Sequence, residues 1–318
     1  MAAAPIGLNL GPHDRATDNR QQRHDMSSPD DDADPRDRQE RARTDAEAQD
    51  RDTGQDRGPS PAAILSGWWD AARVIAGIFL RPPLVLLGAA PKEPDESAIA
   101  HAARGFPVVG LGLGVTAGLV LLAARGVGLP MAVAAVFAVT LAAYGGGGLF
   151  EAGFARFMQG IIPGGTKRTV LAAMRTRTPS YVGILLLVFA FAVKVTALAS
   201  LPGPATAAAA VIAAVTASWG VVPALLHYLP AAQTKGLAAR AGTPRFDEVA
   251  LAAAFGGAVA LLFLGPLTGI IALAVGAAGA LKMAWLARRF TGGVTGAALG
   301  AAQQGAEIGI LIAVAAIA

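Results

Sequence analysis

The chain has 318 residues, 54% of them hydrophobic and only 15% charged, with a mean hydropathy of +0.50, a balance that excludes an ordinary water-soluble enzyme. It contains no cysteine and four histidines, which excludes disulfides, thiolate zinc sites, iron–sulfur clusters and cysteine nucleophiles and argues against a histidine-rich metal site. Charge is unevenly placed: residues 1–60 carry fourteen acids and nine bases, so an acidic stretch precedes a body of net charge +9.

Residues 1–60 are mostly Asp, Arg, Gln, Ser and Gly, too poor in apolar side chains to offset the entropy of ordering, and are expected to be a disordered charged tail. His13, His24 and the run Asp30-Asp31-Asp32 are read as solvated and given no site. No apolar h-region follows Met1, which argues against a cleaved secretory signal. The second unit, residues 61–318, reads as an integral-membrane domain. At its start Ile64, Trp68, Ile75 and Phe79 fall on one helical face. This pattern predicts an amphipathic interfacial helix with Trp68 and Trp69 at headgroup depth. A short first transmembrane segment, broken at Arg81-Pro82-Pro83, is the alternative.

Beyond Lys92-Glu93-Pro94-Asp95-Glu96, apolar runs recur near the roughly 20 residues that a helix needs to cross a bilayer. They are Pro107–Ala124, Pro130–Leu149, Tyr181–Leu201, Pro204–Tyr228, Val249–Leu264, Pro266–Trp285 and Gly296–Ala318. The fold class predicted is therefore all-α, a polytopic transmembrane helical bundle of about seven spans. Its many Gly and Ala residues suit close helix packing where no water drives association. Gly110, Gly112 and Gly114 are read in this way and not as a dinucleotide fingerprint.

Basic residues collect in alternate loops: Arg156, Lys167, Arg168, Arg175 and Arg177, then Lys235, Arg240 and Arg245, then Arg288 and Arg289. The positive-inside rule puts these loops and the N-terminus in the cytoplasm, in a bacterial-type inner membrane, and an odd span count puts the C-terminus outside. Lys194 and Lys282 fall within predicted spans, where each either lines a polar cavity or snorkels to an interface. The isoelectric point of about 9.8 reflects basic loops at a lipid bilayer, without the stacking aromatics of a nucleic-acid surface.

After Glu96 only four carboxylates remain: Glu151, Asp247, Glu248 and Glu307. Asp247-Glu248 suits a helix start. Glu307, one or two turns into the last span, is either a site residue or the partner of Lys282 or a loop arginine. The stretch from Gly160 to Lys167 lacks the order and the preceding strand of a phosphate-binding P-loop. The five bases from Arg156 to Arg177 serve either a phosphorylated substrate or anionic lipid.

Three stretches together resemble the integral-membrane cobalamin synthases, the adenosylcobinamide-GDP ribazoletransferases. Gly292-Gly293-Val-Thr295-Gly296-Ala297-Ala-Leu299-Gly300-Ala301 through Gln304 to Glu307 is similar to that family's G-G-x-T-G-D-x-L-G-A-x-x-E-x-x-E. Phe106-Pro107-Val-Val109-Gly110 with Gly114 resembles its F-P-x-V-G-x-x-x-G, and Met174-Arg175 with Gly183 stands where it has M-R-D-S-R-I-G-T-Y-G. The resemblance covers roughly residues 70–318. Where the family has D-G-L-A-D-T-x-D-G, this chain has Gly147-Gly148-Leu149-Phe150-Glu151-Ala152-Gly153-Phe154-Ala155, keeping one acid of three. Thr176 and Ala297 stand where the family has Asp, and Gln304 where it has Glu.

The resemblance implies transfer of α-ribazole or its 5′-phosphate to adenosylcobinamide-GDP with release of GMP. It implies Glu151 and Glu307 as catalytic residues and Mg²⁺ ligands, and Lys167, Arg168 and Arg175 as the substrate's phosphate-binding residues. The implied partners are the corrinoid substrate, α-ribazole and other membrane proteins of the cobalamin pathway. Two further readings stand beside it. The motif departures suit a catalytically inactive relative, a scaffold or corrinoid-binding protein, whereas a transporter would use Lys194 and Glu307 along a pathway.

Overall fold

A computed structural model of the chain describes residues 36, 39–44, 60–80, 96–176, 178 and 180–318. The chain divides into two units, Met1–Ser60 and Pro61–Ala318. In the first, residues 39–44 are helical and the Thr44 hydroxyl donates to the Glu40 carbonyl (2.6 Å). The remainder of the expected disordered tail, and the Arg81-Pro82-Pro83 break, lie outside the described residues.

The second unit is built of helices, with no strand among the described residues beyond a single bridge between Ala231 and Val294. Helix α1 spans Pro61–Phe79, α2 Gly105–Gly126, α3 Met131–Gly145 and α4 Leu149–Ile161. Next come α5 (Lys167–Met174), α6 (Tyr181–Ala199), α7 (Pro204–Trp219) and α8 (Val221–Tyr228). The last four are α9 (Leu237–Arg240), α10 (Phe246–Leu264), α11 (Pro266–Thr291) and α12 (Gly296–Ile317). Proline at the first turn starts α7 and α11, where its missing N–H costs nothing. Thr166, Ser180 and Thr295 cap α5, α6 and α12 by accepting a backbone N–H each.

Among the described residues six helices, α7 and α8 counted as one, are long and apolar enough to cross a membrane, or up to seven if the bent pair α3–α4 counts as one span. The second expected span does not run straight to Leu149. It stops at Gly145 and turns by 90° into α4. Gly147 and Gly148 take φ of 69° and 64°, left-handed values that glycine alone adopts without strain. Glu151 therefore opens a new helix instead of ending a span. The tyrosine-ended span is continuous through α7 and α8 apart from a turn at Gly220.

Helices α7 and α12 are buried along most of their length, whereas α6, α10 and α11 turn apolar faces outward. Close packing rests on glycine. A Cβ on Gly110 would lie 2.8 Å from the Trp219 Cβ, and one on Gly114 3.0 Å from the Ile212 backbone, so α2 and α7 meet at backbone distance. Gly112 faces open space and takes no part. At the α11–α12 seam a Cβ on Gly279 would lie 2.3 Å from the Gly305 carbonyl oxygen.

Helix α1 packs through its second half. Ala71, Ala72, Ile75, Ile78 and Phe79 are buried, but Ile64, expected on the same face, is 48% exposed. Trp68 stacks on Phe255 (5.3 Å between centroids), and Arg73 lies over the exposed Trp69 ring. An aromatic knot of Phe79, Phe106, Phe150 and Trp219, with centroids 4.9–6.3 Å apart, joins α1, α2, α4 and α7. Glu248 opens α10 and also holds the start of α2. It accepts the Arg104 backbone N–H (3.1 Å) and lies 3.5 Å from the guanidinium.

Candidate functional site

Helix α4 separates two polar features. Its Glu151 and Arg156 stand five residues apart, about 140° around a helix, and they serve opposite sides. Gly153 lets α4 lie directly on α12, where a Cβ on Gly300 would sit 2.4 Å from the Phe150 carbonyl oxygen.

On one side a buried polar cluster joins α4, α6, α7 and α12. The Lys194 Nζ lies 2.8 Å from the Glu307 Oε1, and both residues are buried in the protein. The Gln303 Nε2 donates to the Glu307 Oε2 (2.9 Å) and to the Ser218 Oγ (2.9 Å). The Gln304 Nε2 donates to the Glu151 Oε1 (3.0 Å) and to the Gln303 Oε1 (2.8 Å), while the Gln304 Oε1 is buried without a partner. Glu151, Gln303 and Glu307 share a cavity of only about 10 Å³. The two carboxylates thus line one small enclosed space.

On the other side a cavity of about 530 Å³ opens among α1, α4, α12 and the connecting loops. Ile78, Phe79, Leu149, Phe150, Leu237 and Leu299 give it apolar walls, and Arg156, Arg175, Thr176, Gln233 and Thr295 its polar groups. It carries two guanidinium groups and no carboxylate among its described lining residues.

Local structure explains the floor of this pocket. Gly292 ends α11 in a left-handed conformation (φ 72°), the Thr291 hydroxyl lies within hydrogen-bonding distance of the Ala287 and Gly293 carbonyls, donating to one of them at a time, and Thr295 caps α12. The strand-like bridge fastens this turn to the loop after α8, since Val294 donates to Pro230 (2.8 Å) and Ala232 to Val294 (2.9 Å). The opposite wall is clasped by the buried Gln159. Its Nε2 donates to the Ala173 carbonyl (2.7 Å) and the Thr176 hydroxyl (2.8 Å), and its Oε1 accepts the Ser180 N–H (2.7 Å).

Of the expected phosphate-binding residues, Arg175 lines the open pocket. Lys167 and Arg168 are exposed on α5 outside its lining, with the Lys167 ammonium beside Gly292. Gln159 carries no sequence signal of a site, whereas Arg156 is read from sequence only as one of five bases for substrate phosphate or lipid, and Lys194 only as lining a polar cavity or snorkelling. The signal for Arg156 was its place as the one base in α4. Glu307 pairs with Lys194 rather than with Lys282 or a loop arginine, and Lys194 does not snorkel.

The residues of the cluster do not fit Mg²⁺ as they are arranged. That ion demands about six oxygens in octahedral array and keeps several waters. Here an ammonium occupies one carboxylate's coordinating side, and amide N–H groups face both carboxylates. The shared cavity has space for about one water. Among the described residues no three His, Cys, Asp or Glu side chains gather at metal-binding distance.

Comparison with known proteins bears on this arrangement. The family model for cobalamin-5-phosphate synthase matches residues 79–315. The adenosylcobinamide-GDP ribazoletransferase of Bradyrhizobium diazoefficiens is 36% identical over 225 residues, covering 71% of this chain and 86% of that protein. Its counterpart from Azorhizobium caulinodans is 35% identical, covering 70% and 85%. That of Rhizobium etli strain CIAT 652 is 32% identical, covering 77% and 96%. No solved structure matches the chain.

Proposed function

Because the chain belongs to the cobalamin-5-phosphate synthase family, we propose that its open pocket binds the phosphate-bearing end of a ribazoletransferase substrate, adenosylcobinamide-GDP or α-ribazole 5′-phosphate. One observation carries the reading: among its described lining residues the cavity offers two arginines, apolar walls and no carboxylate. Arginine holds phosphate oxygens by charge-assisted, often bidentate hydrogen bonds. The apolar wall of Phe79, Phe150 and Leu299 suits a base or the edge of a corrin ring. In this reading the basic loops and the pocket face the cytoplasm of a bacterial inner membrane, as the positive-inside rule directs.

The same chemistry favours binding over transfer. Phosphoryl transfer depends on positioning and on neutralising developing charge. Arg156 and Arg175 hold and orient the phosphates and supply fixed positive charge, but among the described lining residues no carboxylate stands ready to hold a metal ion or to take a proton from the attacking hydroxyl. We therefore assign the protein as a corrinoid-phosphate-binding member of the family that holds its ligand without transferring it. A second reading, ribazole transfer, is favoured by the near full-length match to relatives named for that activity and by the meeting of Glu151 with Glu307.

The test has two arms. Purified protein in lipid nanodiscs is titrated with adenosylcobinamide-GDP. Binding weakened tenfold or more by Arg156→Gln/Arg175→Gln is expected, and binding indifferent to that double change refutes the pocket. Cells lacking their own cobalamin synthase, supplied with cobinamide and the lower base, are then asked for cobalamin-dependent growth. No rescue is expected from inserted, abundant protein. Rescue abolished by Glu151→Ala or Glu307→Ala establishes the second reading.

A further inference from the structure

We propose that Lys194 is the built-in cation of the buried acidic cluster, a positioning residue that fills the charge-neutralising place beside Glu307 and makes the protein independent of divalent metal. The proposal is separate from the ligand assigned to the open pocket.

Three observations carry it. First, the pairing is direct and enclosed: the Lys194 Nζ lies 2.8 Å from the Glu307 Oε1, with the lysine side chain 2% exposed. A lysine in mid-span is costly alone, so its retention there calls for a partner, and Glu307 is that partner. Second, an amide N–H faces each carboxylate. Gln303 donates to the second oxygen of Glu307 and Gln304 to Glu151, so the amides turn positive hydrogens where a metal ion would need oxygen. Third, the cavity that Glu151 and Glu307 share, about 10 Å³, excludes a hydrated ion.

The geometry also says what the cation does. Lys194 projects from α6 and Glu307 from α12, and Gln304 links α12 to Glu151 at the start of α4. A fixed positive charge at this node holds α4 against α12, and α4 carries Arg156 into the open pocket. Lys194 acts on the pocket through Glu307 and α4 and touches no ligand itself.

The experiment follows thermal unfolding of the full chain in nanodiscs with millimolar MgCl₂ or with EDTA. The native protein is expected to melt at the same temperature in both. Lys194→Met, which leaves two carboxylates facing each other without a cation, is expected to melt lower in EDTA and to regain most of the loss with Mg²⁺. Lys194→Arg should restore metal indifference, a result that loss of packing alone does not produce. Should Lys194→Met fail to insert, the double variant Lys194→Met/Glu307→Gln, with both charges removed, is expected to fold and to ignore Mg²⁺. A native protein that melts higher in Mg²⁺ than in EDTA overturns the proposal, as does a folded Lys194→Met variant indifferent to Mg²⁺ or a double variant that Mg²⁺ stabilises.

Discussion

Gly300→Ala tests the seam on which both polar features depend. The new Cβ would sit 2.4 Å from the Phe150 carbonyl oxygen and 2.9 Å from the Gly153 Cα, against an ordinary separation of about 3.5 Å. The helices α4 and α12 must then part by roughly 1 Å. Gln304 lies one turn further along α12, and its 3.0 Å bond to Glu151 would lengthen to about 4 Å, outside hydrogen-bonding range. Overpacking of this kind costs about 1–3 kcal/mol, and a lost bond to a charged acceptor adds about 1.5–3 kcal/mol. The melting temperature in nanodiscs should fall by roughly 5–15 °C. Gly112→Ala is the control, since nothing lies within 4 Å of its Cβ, and it should leave melting unchanged or slightly raised. Equal losses from the two substitutions, or none from Gly300→Ala, would refute the claim that backbone contact at this seam sets the site.

Other expectations follow from particular contacts. Gln159→Leu removes three hydrogen bonds that the buried Gln159 makes to Ala173, Thr176 and Ser180. It should cost about 2–4 kcal/mol and raise amide hydrogen exchange in that segment above the rest of the bundle. Glu248→Gln removes the charge from a mostly buried pair at 3.5 Å and should cost about 1–3 kcal/mol, with little dependence on salt. Single cysteines at Thr166 and Pro202 of this cysteine-free chain should react with membrane-impermeant maleimide from opposite sides. Reaction from one side only would refute the span count.

The spans were legible because a membrane helix announces itself by length and hydropathy alone, which is how all seven apolar runs from Pro107 to Ala318 correspond to helical segments. The 90° bend at Gly145–Leu149 was not legible. Hydropathy continues through it, and only the left-handed φ of Gly147 and Gly148 distinguishes a broken helix from a straight one rich in glycine. The partner of Glu307 was likewise hidden. Lys282 and a loop arginine are the partners that sequence offers, but the pairing depends on which helices touch, and α6 touches α12. Arg156 was counted with the basic loops because charge position in sequence does not say which face of α4 it occupies. Arg175 was legible from its place in the resembling motif. Lys167 and Arg168, about two turns earlier, face away from the pocket because α5 turns them outward.

The burial of α12 at the heart of the bundle sets a problem of timing for biogenesis. Every helix that it packs against is synthesised before it, and Lys194 leaves the ribosome more than a hundred residues ahead of Glu307. At ordinary translation speeds that interval is about ten seconds. Throughout it, α6 holds an ammonium worth roughly 3 kcal/mol against insertion, with its counter-charge still unmade. The nascent chain must therefore shelter α6 at the insertion machinery or let it ride shallow, and the bundle locks only when its final helix arrives.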